Sequence, residues 1–111
     1  MTDKRIVLST AGSEDEARMI AHDLVEQRLA ACVNIIPRIE SIYRWKDRVE
    51  SSQEYLLLIK TSAERFPRVR DAIRELHSYE LPECIAISIE EGSPEYLQWL
   101  ACSLVKDDPS E

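Results

Sequence analysis

ACVNIIPRIESIYRWKDRVESSQEYLLLIKT, residues 31–61, brings two long apolar and β-branched runs together with only Lys46, Asp47 and Arg48 between them. Such a stretch reads as one long hairpin. On the first arm Val33, Ile35, Ile39, Tyr43 and Trp45 share the odd positions, and on the second Tyr55, Leu57 and Ile59 do so, the period of two that a sheet imposes. Pro37 cannot donate to a ladder, which predicts a bulge or an edge position that bends the first arm. At about 3.3 Å per residue that arm would run roughly 45 to 50 Å, longer than the core of a domain of this size covers. Its far end is therefore expected to pair outside the chain, in an oligomer.

N-terminal to the hairpin, residues 5–10 hold Ile6, Val7 and Leu8, a short run that predicts a buried central strand. Ser13 with Glu16 reads as a capping box that opens a helix, and Glu14 and Asp15 suit the positive end of its dipole. Ala17, Ile20, Ala21, Leu24, Val25 and Leu29 recur at helical spacing, His22 lies off that stripe and reads as solvated, and Arg28 is placed to complement the dipole. C-terminal to the hairpin, Thr61 and Glu64 offer a second capping box before a helix marked by Phe66, Val69, Ile73 and Leu76. Pro67 leaves two starts open, near Phe66 or after a separate short turn. Residues 77–83 form a connector. Residues 84–90 read as a strand with Ile85, Ile87 and Ile89 on one face, and Ser93 and Pro94 open a last helix through Tyr96, Leu97, Leu100 and Leu104. The acidic tail from Lys106 is expected to fray. This order predicts an α+β, ferredoxin-like (split βαβ) antiparallel sheet with a long hairpin and an extra C-terminal helix, in a single domain over residues 1–111.

Composition narrows the function. A formal charge of −7 argues against a nucleic-acid surface, and no apolar run approaches the ~20 residues of a membrane span, so a cytoplasmic protein is expected. Cys32, Cys84 and Cys102 are odd in number and lack metal-ligand spacing, which favours reduced, packed thiols. Two glycines exclude the familiar phosphate-cradling loops. No nucleophile, base and acid recur at a meaningful spacing, so no enzyme is expected. His77 and Glu83 are ordinary ligands for a divalent ion, but His77 capping a helix and Glu83 pairing with a cation such as Lys60 is the favoured account of both. Lys60 could instead hold an anionic ligand beside Tyr43, Trp45 and Tyr79. Tyr43, Trp45, Tyr96 and Trp99 fit interface anchors.

The run Leu29-Ala30-Ala31-Cys32-Val33-Asn34-Ile35-Ile36-Pro37, then Ser41-Ile42-Tyr43-Arg44-Trp45, Lys60-Thr61, His77-Ser78-Tyr79-Glu80, Pro82-Glu83 and Tyr96-Leu97-Gln98-Trp99-Leu100, closely resembles the CutA family of divalent-cation tolerance proteins. The resemblance spans nearly the whole chain. It implies a compact homotrimer, similar in architecture to PII signalling proteins, with the hairpin strands paired across subunits and clefts between them. It also implies a role in metal tolerance with copper or another divalent cation as ligand, none being needed for folding. The positions matching the copper ligands of some relatives are Ser9, Leu76 and His77, so one imidazole remains and a hydroxyl replaces a thiolate. Asp47 stands for the usual hairpin-tip glycine and Ser78 for the usual proline. Two functions are expected from different classes: a trimer that binds metal weakly, or a PII-like sensor of a small anionic metabolite, with a structural or partner-binding scaffold as the third.

Overall fold

The computed structural model describes residues 2–105, which run β1 (Lys4–Ala11), α1 (Glu14–Glu26), β2 (Cys32–Trp45), β3 (Arg48–Ser62), α2 (Phe66–Leu76), β4 (Ile85–Ser88) and α3 (Pro94–Leu104). The strands form one antiparallel sheet in the order β2-β3-β1-β4. This is the ferredoxin-like α+β arrangement expected, with β3 inserted between β1 and the strand that follows α1. The tail from Lys106 lies outside the described residues.

One face of the sheet is covered by α1 and α2. Val7 pairs with Ile59 and Ser9 with Leu57, and these side chains meet Ile20 and Leu24 of α1 and Val69 and Ile73 of α2 in the core. Ser13 caps α1, its Oγ accepting the Glu16 amide at 3.1 Å. The helix stops earlier than the apolar spacing predicts. Arg28 takes φ 58°, the Leu29 and Ala30 amides both bond the Leu24 carbonyl, and Leu29 is buried beyond the helix while Val25 is exposed. Thr61 does not cap α2. Its hydroxyl donates to the Leu29 carbonyl at 2.6 Å, and Ser62 Oγ accepts the Arg65 amide in a turn that precedes the helix start at Phe66.

The hairpin tip is tighter than expected, because Arg48 pairs with Trp45 and only Lys46 and Asp47 turn the chain, both at positive φ. Pro37 sits at the bulge it predicts. Ile36 faces Leu56 but Ile39 faces Glu54, so Pro37 and Arg38 together oppose Tyr55. The extra residue reverses the facing of everything beyond it. Val33 and Ile35 therefore share the helix-covered face with Ile59 and Leu57, whereas Ile39, Tyr43 and Trp45 turn to the opposite face with Glu54. The odd positions of the first arm do not form one stripe.

Past Tyr55 the hairpin has no third strand among the described residues and projects as a two-stranded ribbon, giving a long axis of 53 Å. The sheet face away from α1 and α2 carries Ile6, Leu8, Leu56 and Leu58, half-buried, and Ile85 and Ile87 of β4 at 52% and 50% exposure. β4 spans four residues, fewer than the seven-residue run predicted. At the β2 and β3 end, Leu100 and Leu104 of α3 pack with Ala31. Two arginines cap this helix: Arg28 donates to the Ser103 carbonyl at 3.1 Å and Arg65 to the Leu104 carbonyl at 2.5 Å. Arg28 thus serves the last helix besides ending the first.

Candidate functional site: an acid-lined aromatic cavity

Because the bulge turns Tyr43 and Trp45 onto the face of Glu54, aromatic and acidic side chains converge where the connector after α2 crosses the hairpin. They line a cavity of about 760 Å³, which Tyr79, Glu80 and Glu83 of the connector complete. Glu54 is only 7% exposed, and its Oε2 accepts the Tyr79 hydroxyl at 2.8 Å. Burial and this carboxylate together push the Tyr79 phenol well above its ordinary range, so it stays a neutral donor. Gly12 leaves room for the ring, since a Cβ there would lie 2.9 Å from the Tyr79 hydroxyl.

The connector is held from behind by His77. Its Nδ1 accepts the Tyr79 amide at 3.0 Å, which assigns the proton to Nε2, and Nε2 donates to the Thr10 carbonyl at 2.6 Å. Both nitrogens are thereby engaged. His77 also occupies the C-cap of α2, its amide bonding the Ile73 carbonyl, and its ring packs against Tyr79 in a tilted arrangement with centroids 4.5 Å apart. The candidate ligands are thus held apart: Glu83 is exposed on the cavity wall, His77 is buried in the latch, and Ser9 lies in the helix-covered core with its Oγ unpartnered. Among the described residues, no three His, Cys, Asp or Glu side chains lie close enough to hold one ion. Replacing Ser9 by alanine is expected to raise stability by about 1 kcal/mol, since a buried hydroxyl without a partner is lost, and equilibrium urea unfolding measures it.

Glu16 does not complete a simple capping box. Its Oε2 accepts the Ser78 amide at 2.9 Å, and its Oε1 lies 3.9 Å from His77 Nδ1. Burial raises the Glu16 carboxyl, but the hydrogen bonds from Ser78 outweigh it and hold the group below the usual carboxylate range. A pKa depressed by folding contributes stability above the unfolded value and loses it as pH falls through the folded one. Stability should accordingly drop below roughly pH 4, and Glu16→Gln should flatten that part of an acid-unfolding curve followed by circular dichroism.

Lys60 is absent from the cavity lining. Its Nζ donates to Asn34 Oδ1 at 2.5 Å and lies 3.8 Å from Cys32 Sγ, at the other end of the hairpin, so neither the expected pair with Glu83 nor the expected cleft with Tyr43 and Trp45 forms within the chain. Tyr96 and Trp99 lie exposed on α3 with ring centroids 5.4 Å apart, away from Tyr43 and Trp45. Glu54 and Glu80 escaped sequence reading. Glu54 carried one signal, a lone acid directly before the apolar run of β3.

Fold and cavity define a ferredoxin-like protein with an acid-lined, aromatic-walled cavity beside a projecting hairpin. The family model for the CutA1 divalent ion tolerance protein matches residues 5–103. The chain belongs to that family. It is 52% identical over 97 residues to the divalent-cation tolerance protein CutA of Thermus thermophilus, covering 87% of this chain and 94% of the relative, and the solved structure of that protein superposes with a TM-score of 0.86. A structure described as the periplasmic divalent cation tolerance protein CutA of Archaeoglobus fulgidus matches with a TM-score of 0.89 at 40% identity, covering 92% of this chain and 99% of that one. Human protein CutA is 47% identical over 91 residues, 82% of this chain, which spans about half (51%) of that relative. These relatives are named for tolerance or for the family, not for an enzymatic activity.

Proposed function

We propose that this chain is a non-enzymatic protomer of a homotrimer that serves in divalent-cation tolerance, binding the ion weakly at the cavity. The observation that carries the metal reading is the lining itself: Glu54, Glu80 and Glu83 contribute carboxylates, and among the described residues no Lys, Arg or His lines the space. Water, or side chains of neighbouring protomers, would fill the remaining coordination positions. Copper stays the tightest divalent ligand even on oxygen donors, by the Irving–Williams order. Because no three such side chains of the described residues lie close enough to hold one ion, Glu83 with one neighbouring carboxylate is the most they supply, and His77 is engaged in holding the connector. The anionic-metabolite reading, which places Lys60 in a cleft between subunits, would need that side chain to reach the site from another protomer, since within its own chain the ammonium bonds Asn34.

The trimer is supported by the apolar sheet face and by the ribbon, both of which would otherwise meet water. The cytosol is supported by Cys32, Cys84 and Cys102, which form no disulfide. As the test of the metal reading, Zn(II) is expected to raise the melting temperature of the metal-free, reduced protein. The double variant Glu80→Gln/Glu83→Gln should lose that shift, and an equal shift in both proteins would contradict the assignment.

A further inference from the structure

We propose that the same cavity binds a small organic cation, an alkylated ammonium, through its aromatic walls and the buried Glu54 carboxylate. Size is the first ground. A space of about 760 Å³ is far larger than a bare ion and falls in the range of sites for small organic ligands. Charge is the second, because among the described residues three carboxylates and no basic side chain line the space. A carboxylate offers about four acceptor positions, and the Tyr79 hydroxyl is the hydrogen-bond donor that Glu54 receives, which leaves capacity for a cation.

The walls supply the third ground. Tyr43, Trp45 and Tyr79 line the space, and the π-face of an aromatic ring attracts a cation even at a solvent-exposed site. The Trp45 ring already holds a cation of the chain itself, the Lys46 ammonium at 5.7 Å from its centroid. Tyr79 is fixed in advance by Glu54, by the His77 ring and by the space left at Gly12, so a ligand meets an ordered wall. A strongly hydrated metal ion makes little use of aromatic faces, whereas an alkylated ammonium uses both the rings and the carboxylate. This goes beyond the metal reading and does not depend on it.

The test is a calorimetric titration of the assembled wild-type protein with choline and, separately, with its neutral isostere 3,3-dimethyl-1-butanol. Saturable choline binding is expected, with the alcohol weaker by about tenfold or more. Glu54→Gln and Trp45→Leu should each weaken choline by a similar factor. Trp45 lies at the end of the projecting ribbon, so its variant keeps the test valid if Glu54→Gln fails to fold. No saturable heat with choline, equal binding of the alcohol, or unchanged binding in a folded variant would overturn the proposal. Choline binding without a Zn(II) thermal shift would remove the metal reading alone, and a Zn(II) shift without choline binding would remove this one alone.

Discussion

Arg65→Ala is expected to destabilise the folded chain by about 3 kcal/mol, one of the largest effects of any single polar substitution here. The Arg65 guanidinium joins three elements: Nε donates to the Arg28 carbonyl at 3.0 Å where α1 ends, and an Nη donates to the Leu104 carbonyl at 2.5 Å where α3 ends. Hydrogen bonds from a charged donor contribute about 1.5–3 kcal/mol each, and the 22% exposure of this side chain places their sum toward the low end. Alanine also leaves two carbonyls without their donor. For a chain of this length, 3 kcal/mol corresponds to a fall in melting temperature of roughly 10 to 15 °C. Arg65→Lys should recover less than half, since an ammonium lacks the planar fork that reaches both carbonyls. Urea unfolding followed in the near ultraviolet, where Trp99 of α3 contributes, reads the loss. A change below about 1 kcal/mol would show that α3 is held by Leu100 and Leu104 alone.

The second large effect concerns assembly. Wild type is expected to sediment as the proposed trimer, three times the 12.8 kDa chain, and Ile85→Glu/Ile87→Glu as monomers, in sedimentation velocity. Both residues point away from α1 and α2, paired with Leu8 and Ile6, and both are half exposed in the single chain. Carboxylates there cost the isolated fold little. Buried between two sheets, each unpaired charge would cost several kcal/mol per subunit. A wild-type protein that sediments as a monomer, or a double variant that remains a trimer, would refute the role given to this face.

Much of the architecture was legible because its signals are local. Ser13 and Ser93 cap the helices they were expected to cap, and Pro37 marks a bulge, each through hydrogen bonds or missing donors within a few residues. The consequence of the bulge was not legible. Proline announces an irregularity, but only the pairing of Ile36 with Leu56 and of Ile39 with Glu54 shows that two residues oppose one, and this reverses Tyr43 and Trp45. The cavity follows from that reversal, so Glu54 went unnoticed as its buried acid. The engagement of His77 was illegible for a different reason. Its two nitrogens are engaged by Thr10, distant in the chain, and by the Tyr79 amide, and neither partner has a side-chain signature. The contact of the Lys60 ammonium with Asn34 across the hairpin was likewise illegible, because it depends on the strand register. The order of elements carried the fold, and the family resemblance carried the expected tolerance role.

The most direct test of the metal site is calorimetric titration of the metal-free, reduced protein with Cu(II), run beside His77→Gln and Glu80→Gln/Glu83→Gln. Wild type and His77→Gln should bind alike, because the imidazole serves the connector, while the double carboxylate variant should lose most of the heat. Binding lost in His77→Gln and kept in the carboxylate variant would contradict the account and return the site to the histidine.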